Sequence, residues 1–189
     1  MTVLADDQPK MTDSDLIQRC QLGDESCFRL LYQRYQQKVR GTLYKLCGAE
    51  LLDDLTQEVF FKAWKALPKL REPSYFATWL YRICWNVACD RRRQLARIHQ
   101  EKRILTESAP ELYSDPGELL QIHYQQLVQK GLQHLKLDHR VVLVLHDLED
   151  VPQKEIAEIL SIPVGTVKSR LFNARKAMRQ FLESKGVSI

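Results

Sequence analysis

Between residues 28 and 46 the apolar side chains Phe28, Leu31, Tyr35, Val39, Leu43 and Leu46 recur every three or four positions. At that spacing they fall on one stripe of an α-helix. The period returns at Leu55, Val59, Ala63 and Leu67, where Phe60 and Trp64 widen the stripe. No segment alternates convincingly in the two-residue period of a half-buried strand. A chain patterned this way must bury itself by packing helices on helices, so the fold class is all-α.

Punctuation divides the pattern. Asp13 or Ser14 is placed to cap a first helix through DLIQRCQLG, which stops near Gly23. A second helix starts at Asp24, and Gly41 weakens it without ending it. A third runs through DDLTQEVFFKAWKAL and is closed by Pro68. After a loop with Glu72, Pro73 and Ser74, a fourth runs through YFATWLYRICWNVACDRRRQLARI. Four helices on short connections predict a compact bundle over residues 11–97.

A change of charge marks the end of that bundle. Residues 91–103 hold six Lys or Arg against one Glu, and residues 104–120 hold four acids and no base. With Pro110, Pro116 and Gly117 this stretch reads as a flexible linker over 98–117. Helical pattern resumes from about Leu119 and defines a second small domain over 118–185.

That second domain ends in PQKEIAEILS, a three-residue break at Ile162, Pro163 and Val164, and a longer amphipathic helix. Short helix, tight turn and second helix form a helix-turn-helix. Pro152 suits the first turn of the shorter helix. On the longer one, Val167, Leu171, Ala174, Met178 and Phe181 share an apolar arc. Lys168, Ser169, Phe172, Asn173, Arg175, Lys176 and Arg179 lie opposite, with Arg170 at the flank. Residues 162–181 carry five bases and no acid. Such a face is either merely solvated or built to reach phosphates and base edges; the preceding helix and turn favour DNA.

In the first domain, FATWLYRICWNVACDRRR sets aromatics beside arginines. That pairing suits an unpaired strand, whose bases stack while cations hold its backbone. Trp79, Ile83 and Val87 also share a stripe and read equally well as core. No phosphate-cradling glycine loop, triad or metal-ligand spacing is present, which disfavours an enzyme and predicts no cofactor. The five cysteines form no CxxC, and the start of the chain lacks a signal-peptide pattern. Reduced thiols in a cytoplasmic protein are expected, with buried structural roles commoner than redox ones. No apolar run nears the ~18 residues of a membrane span.

Three of these segments, in order, resemble the extracytoplasmic-function (ECF) sigma factors of the sigma-70 family. DDLTQEVFFKAWKAL is similar to the helix that grips core RNA polymerase, FATWLYRICWNVACDRRR to the part that melts and reads the minus-10 element, and IPVGTVKSRLFNARKAM to the minus-35 recognition helix. The resemblance implies a region 2 bundle and a region 4 helix-turn-helix domain, and an alternative sigma factor that directs promoter-specific initiation. Its polymerase contacts would be Asp54, Gln57 and Glu58. Minus-10 contacts would be Arg82, Asn86, Arg91, Arg92 and Arg93, with the flipped base held in a loop around Asn86. Minus-35 contacts would be Thr166, Lys168, Ser169, Arg170, Phe172, Asn173, Arg175 and Lys176, where Arg170 and Arg175 touch phosphates or pair internally. The implied partners are core polymerase (β′ clamp and β flap), promoter DNA and an anti-sigma protein, with no membrane insertion. Asn173 stands where many relatives carry arginine, which bears on the promoter sequence read. Glu107, Glu111, Asp115 and Glu118 would either line a basic RNA-exit channel or sit in a solvated tether. The other reading of the residues is a helix-turn-helix regulator acting without polymerase.

Overall fold

In the computed structural model, which describes residues 11–101 and 116–187, the described residues form helices and no strand. The expected linker falls largely on residues 102–115, outside the described set.

Helix α1 (Asp13–Gln21) starts one residue earlier than a cap at Asp13 allows and two earlier than a cap at Ser14. Thr12 caps it: Asp15 N–H donates to the Thr12 hydroxyl at 3.2 Å, and Thr12 N–H donates to the Asp15 carboxylate at 2.9 Å. This reciprocal box satisfies two amide donors at once, which neither Asp13 nor Ser14 could do from inside the first turn. Asp24 caps α2 (Glu25–Cys47), and its carboxyl is held down to about 2 by donors from Ser26, Cys27 and Arg19. Gly48, at φ 87°, supplies the positive dihedral that ends α2. Helix α3 (Leu52–Ala66) gives way to a tight turn, Leu67–Lys69, around Pro68. A second tight turn, Pro73–Tyr75, leads into α4 (Phe76–Glu101).

Leu16, Ile17, Leu31, Val39, Leu43, Leu55, Val59, Ala63, Phe76, Leu80, Cys84 and Val87 form the core of this first bundle. Each comes from a three-or-four-residue stripe, and Trp79 and Ile83 pack at its edge, half-buried.

The second domain comprises α5 (Pro116–His134), α6 (Leu137–Leu143), α7 (Gln153–Leu160) and α8 (Val164–Ser184). Helix α6 runs into a π-turn over Val144–Leu148, closed by Glu149 N–H on the Val144 carbonyl at 3.1 Å. The wider turn lets the buried Val144 and Leu145 keep facing the core while Asp147 and Glu149 leave in different directions. Pro152 stands just before α7 rather than inside its first turn. Ser161 closes α7 at φ 54°, and Ile162 N–H donates back to the Ala157 carbonyl at 3.0 Å. The helix-turn-helix break is therefore Ser161–Pro163, and Val164 already belongs to α8.

The two domains meet. Leu46 and Ala88 of the first are buried in the core of the second, with Cys47, Tyr81 and Trp85 packed around them. Polar bonds cross the same junction. Gln129 donates to the Tyr44 carbonyl at 2.7 Å and Arg140 to the Leu46 carbonyl at 2.5 Å. The Leu46 carbonyl in the last turn of α2 thus takes its donor from the other domain, while the Tyr44 carbonyl accepts Gln129 beside the Gly48 N–H that closes the helix, and Arg140 adds a favourable charge at a helix C-terminus.

Candidate nucleic-acid and polymerase interfaces

Three outward surfaces gather the sequence candidates. The first is on α8, which the buried Val167, Leu171 and Ala174 orient against α6 and α7. Lys168, Ser169, Phe172, Asn173 and Lys176 are exposed on the opposite side, and Phe172 presents 69% of its surface. The Ser169 hydroxyl gives its proton to the Thr166 carbonyl at 3.0 Å, so outwardly it offers lone pairs only. Asn173 keeps an amide that both donates and accepts. Thr166 is half-buried at the start of the helix. The remaining two candidates are paired with carboxylates of the same chain. Arg170 pairs with Asp138 at 3.0 Å, and Arg175 forms a fork with Asp147 at 2.6 and 2.9 Å. That fork, and His146 at 2.9 Å, keep the Asp147 carboxyl below its ordinary value.

The second surface is a concavity along α4 lined by Trp79, Arg82, Ile83, Trp85, Asn86 and Arg93, with Lys62 of α3 at its rim. Asn86 lies exposed in the middle of α4, not in a loop. The correction has a physical basis: Ile83, Cys84, Val87 and Ala88 keep the helical period through this stretch, and nothing there breaks it. Arg82 donates to the Glu158 carbonyl of α7, and Arg93 pairs with Asp90 at 2.8 Å. Arg92 is exposed. Arg91 is different. Its side chain is only 9% exposed and pairs with Glu50 at 3.0 Å beside the domain junction, apart from the concavity.

The third surface is the outer side of α3. Asp54 and Gln57 are exposed there, and Glu58, half-buried, pairs with Lys62 at 2.8 Å. Sequence reasoning missed two neighbours. Leu51 and Phe61 are 46% and 58% exposed, with the Lys65 ammonium 4.0 Å from the Phe61 ring centre. Phe61 lies four residues beyond Gln57 and seven beyond Asp54, on the same stripe. An aromatic residue on a polar stripe was the available signal.

The thiols are quiet. Burial pushes Cys20 and Cys47 up to about 11 and raises Cys84 further, and all five cysteines are unpaired. Cys84 and Cys89, five apart, point about 140° from each other at ~100° per residue. Among the described residues no group of three metal-ligating side chains is found, and no helix is long and apolar enough to cross a membrane.

Comparison with known proteins covers both domains. The family model for Sigma-70 region 2 matches residues 31–98, and that for Sigma-70, region 4 matches residues 125–178. The chain is 37% identical over 178 residues to an ECF RNA polymerase sigma-E factor of Escherichia coli (strain K12), covering 89% of this chain and 93% of that protein. It is 33% identical over 183 residues to the protein of the same name in Haemophilus influenzae, covering 92% and 97%. Among solved structures, CnrH in complex with the cytosolic domain of CnrY aligns with a TM-score of 0.68 and 25% identity, over 91% of this chain and 97% of that one. The sigma factor RpoE of Bartonella quintana, in complex with the anti-sigma factor NepR, aligns with a TM-score of 0.68 over 82% and 96% at 24% identity, and shares the fold.

Proposed function

The chain belongs to the ECF sigma factors of the sigma-70 family, and from that premise we propose how its surfaces divide the work of starting transcription. It is an alternative sigma factor: it binds core RNA polymerase and directs promoter-specific initiation. The observation that carries the residue-level reading is the presence of two DNA-suited helices, α4 and α8, in separate domains of one chain. One suits a single strand and the other a duplex.

Helix α8 enters the major groove of the minus-35 element. Lys168 and Lys176 neutralise phosphates, while Ser169, Phe172 and Asn173 face base edges. The α4 concavity takes the melted minus-10 strand. Asn86 offers an amide to an extruded base, Trp79 and Trp85 offer ring faces, and Arg82 and Arg93 offer charge, with Arg92 exposed beyond the concavity. The outer side of α3 docks on polymerase, with Phe61 and Leu51 as an apolar centre inside a polar rim of Asp54, Gln57 and Glu58. This assigns the chain a positioning role, with chemistry left to polymerase, and a place of action in the cytoplasm. An anti-sigma protein is the expected regulator, as the sigma factor RpoE of Bartonella quintana is seen with one.

The test is run-off transcription from a pool of genomic fragments, with purified bacterial core polymerase, with this chain, or with both. Defined transcripts only when both are present support the reading. Duplex binding by the chain alone, with no new transcript, would make it an ordinary helix-turn-helix regulator and remove the roles given to Asp54, Gln57 and Glu58.

A further inference from the structure

Helix α4 has three faces, and the third is occupied in a way its DNA role does not require. Leu80, Cys84 and Val87 point into the first core, and Trp79, Ile83 and Asn86 line the open concavity. Thr78, Tyr81, Arg82, Trp85 and Ala88, spaced three and four apart, meet the second domain. Arg82 and Trp85 belong to both of the latter faces.

The contacts on that face combine the apolar packing of Trp85 and Ala88 with a set of polar bonds. The Thr78 hydroxyl donates to the Glu155 carboxylate at 2.6 Å, and Arg82 donates to the Glu158 carbonyl in the last turn of α7. There the guanidinium also meets the negative end of the helix dipole. The Glu149 carboxylate, its side chain only 10% exposed, takes Lys45 of α2 at 2.6 Å on one oxygen and the Tyr81 hydroxyl at 3.1 Å on the other. Burial and the neighbouring carboxylate raise the Tyr81 hydroxyl, so it stays protonated as a donor. Glu149 is therefore the point at which α2, α4 and the end of the π-turn are tied together.

We propose that the second domain and the minus-10 strand compete for one surface of α4, and that Glu149, gripping Lys45 and Tyr81, is the latch that keeps α7 there in the free factor. The proposal rests on the assignment of the α4 concavity to single-stranded DNA. While α7 is docked, the Arg82 guanidinium is held by a backbone carbonyl and Trp85 is packed into the second core. A strand in the concavity would lack its central cation and one ring. Domains of one chain that meet through a mixed polar and apolar seam move relative to one another by default. Undocking restores both groups, and apparent DNA affinity then scales with the fraction of open molecules.

The experiment uses the full chain and three variants: Lys45→Glu, Glu149→Lys and the double swap. Two properties are measured. One is the radius of gyration by small-angle X-ray scattering. The other is anisotropy of a fluorescein-labelled pool of random single strands about 12 nucleotides long. Lys45→Glu adds negative charge and, by electrostatics alone, should weaken DNA binding. The latch predicts the reverse: a larger radius of gyration and binding about 10-fold tighter than wild type. The double swap should return the radius of gyration to the wild-type value and the affinity to within about two-fold of wild type, which also shows that the exchanged side chains are tolerated by the fold. An unchanged radius of gyration for Lys45→Glu overturns the latch. Expansion without tighter binding overturns the competition. Because neither reading involves polymerase, failure of the run-off test would be told apart from failure here.

Discussion

Asp147 holds Arg175 by two parallel bonds, to Nε at 2.9 Å and Nη2 at 2.6 Å, and so limits which cations of α8 are left for DNA. The π-turn makes this possible by delivering Asp147 to α8 while the next acid, Glu149, turns to the first domain. Arg170, paired with Asp138, is restrained in the same way. Lys168, Lys176 and Arg179 remain as exposed cations near Phe172.

Freeing Arg175 should therefore add one phosphate contact. For Asp147→Asn we expect duplex promoter binding to strengthen a few-fold, and the slope of log affinity against log salt to steepen by about one unit. A salt titration of the full chain on a labelled minus-35 duplex measures this. An unchanged slope would mean that Arg175 already leaves Asp147 when DNA arrives.

The same pair fixes an acid limb. The Arg175 guanidinium, then His146, keep the folded Asp147 carboxyl below its usual 3.8, so its contribution to stability is present above that value and is lost as pH falls through the folded one. The urea midpoints of wild type and Asp147→Asn should differ by a constant amount down to about pH 5 and converge below about pH 4. Convergence near neutral pH would instead point to a histidine.

Much of the fold was legible because a helix repeats its buried face within four residues. The stripes through Leu31, Val39 and Leu43 and through Val167, Leu171 and Ala174 needed no knowledge of what they pack against. Local chemistry was read less well. Thr12 precedes Asp13 and Ser14, the two caps expected from sequence, and Asn86 sits in a helix rather than a loop because its neighbours keep helical period. The junction was out of reach: Lys45 and Glu149 are 104 residues apart, and no periodicity joins them. The polar face of α8 could be listed from a wheel, yet the commitment of Arg170 and Arg175 to Asp138 and Asp147 depends on tertiary contact.

Phe61 offers the sharpest test of the polymerase face. Exposed aromatics at the centre of an interface commonly cost 1 kcal/mol or more when truncated, so Phe61→Ala should weaken core polymerase binding about 10-fold. Glu58→Ala should cost less, because Glu58 already shares its charge with Lys62 at 2.8 Å. Competition against a labelled sigma factor gives both values, and circular dichroism checks that α3 persists. Equal losses would move the centre of the interface away from Phe61.

At Gly131 helix α5 packs closely against Met178 and Phe181 of α8. An added Cβ would lie 2.6 Å from the Met178 sulfur and 2.9 Å from the Phe181 ring. Alanine favours helix over glycine by about 1 kcal/mol, while overpacking costs about 1–3 kcal/mol. Met178 can swing away, but Phe181 packs at a tilt against His134 with ring centres 5.7 Å apart. Gly131→Ala should therefore destabilise the protein by about 1 kcal/mol, read as a lower urea midpoint at unchanged slope. A stabilised variant would show that Phe181 yields freely.

Asn173 bears on promoter choice. With Arg170 and Arg175 engaged internally and Ser169 reduced to an acceptor, Asn173 is the exposed side chain on this face suited to a two-bond match with adenine, beside an apolar Phe172 suited to a thymine methyl. Selection of minus-35 sequences by the polymerase complex should thus return an adenine at the position Asn173 faces. Asn173→Arg should exchange it for guanine, with discrimination of roughly 10-fold or more at that base pair and little change at its neighbours. If the selected motif stays the same, Asn173 lies over the backbone, and the sequence is read by Phe172 and by the shape of the duplex.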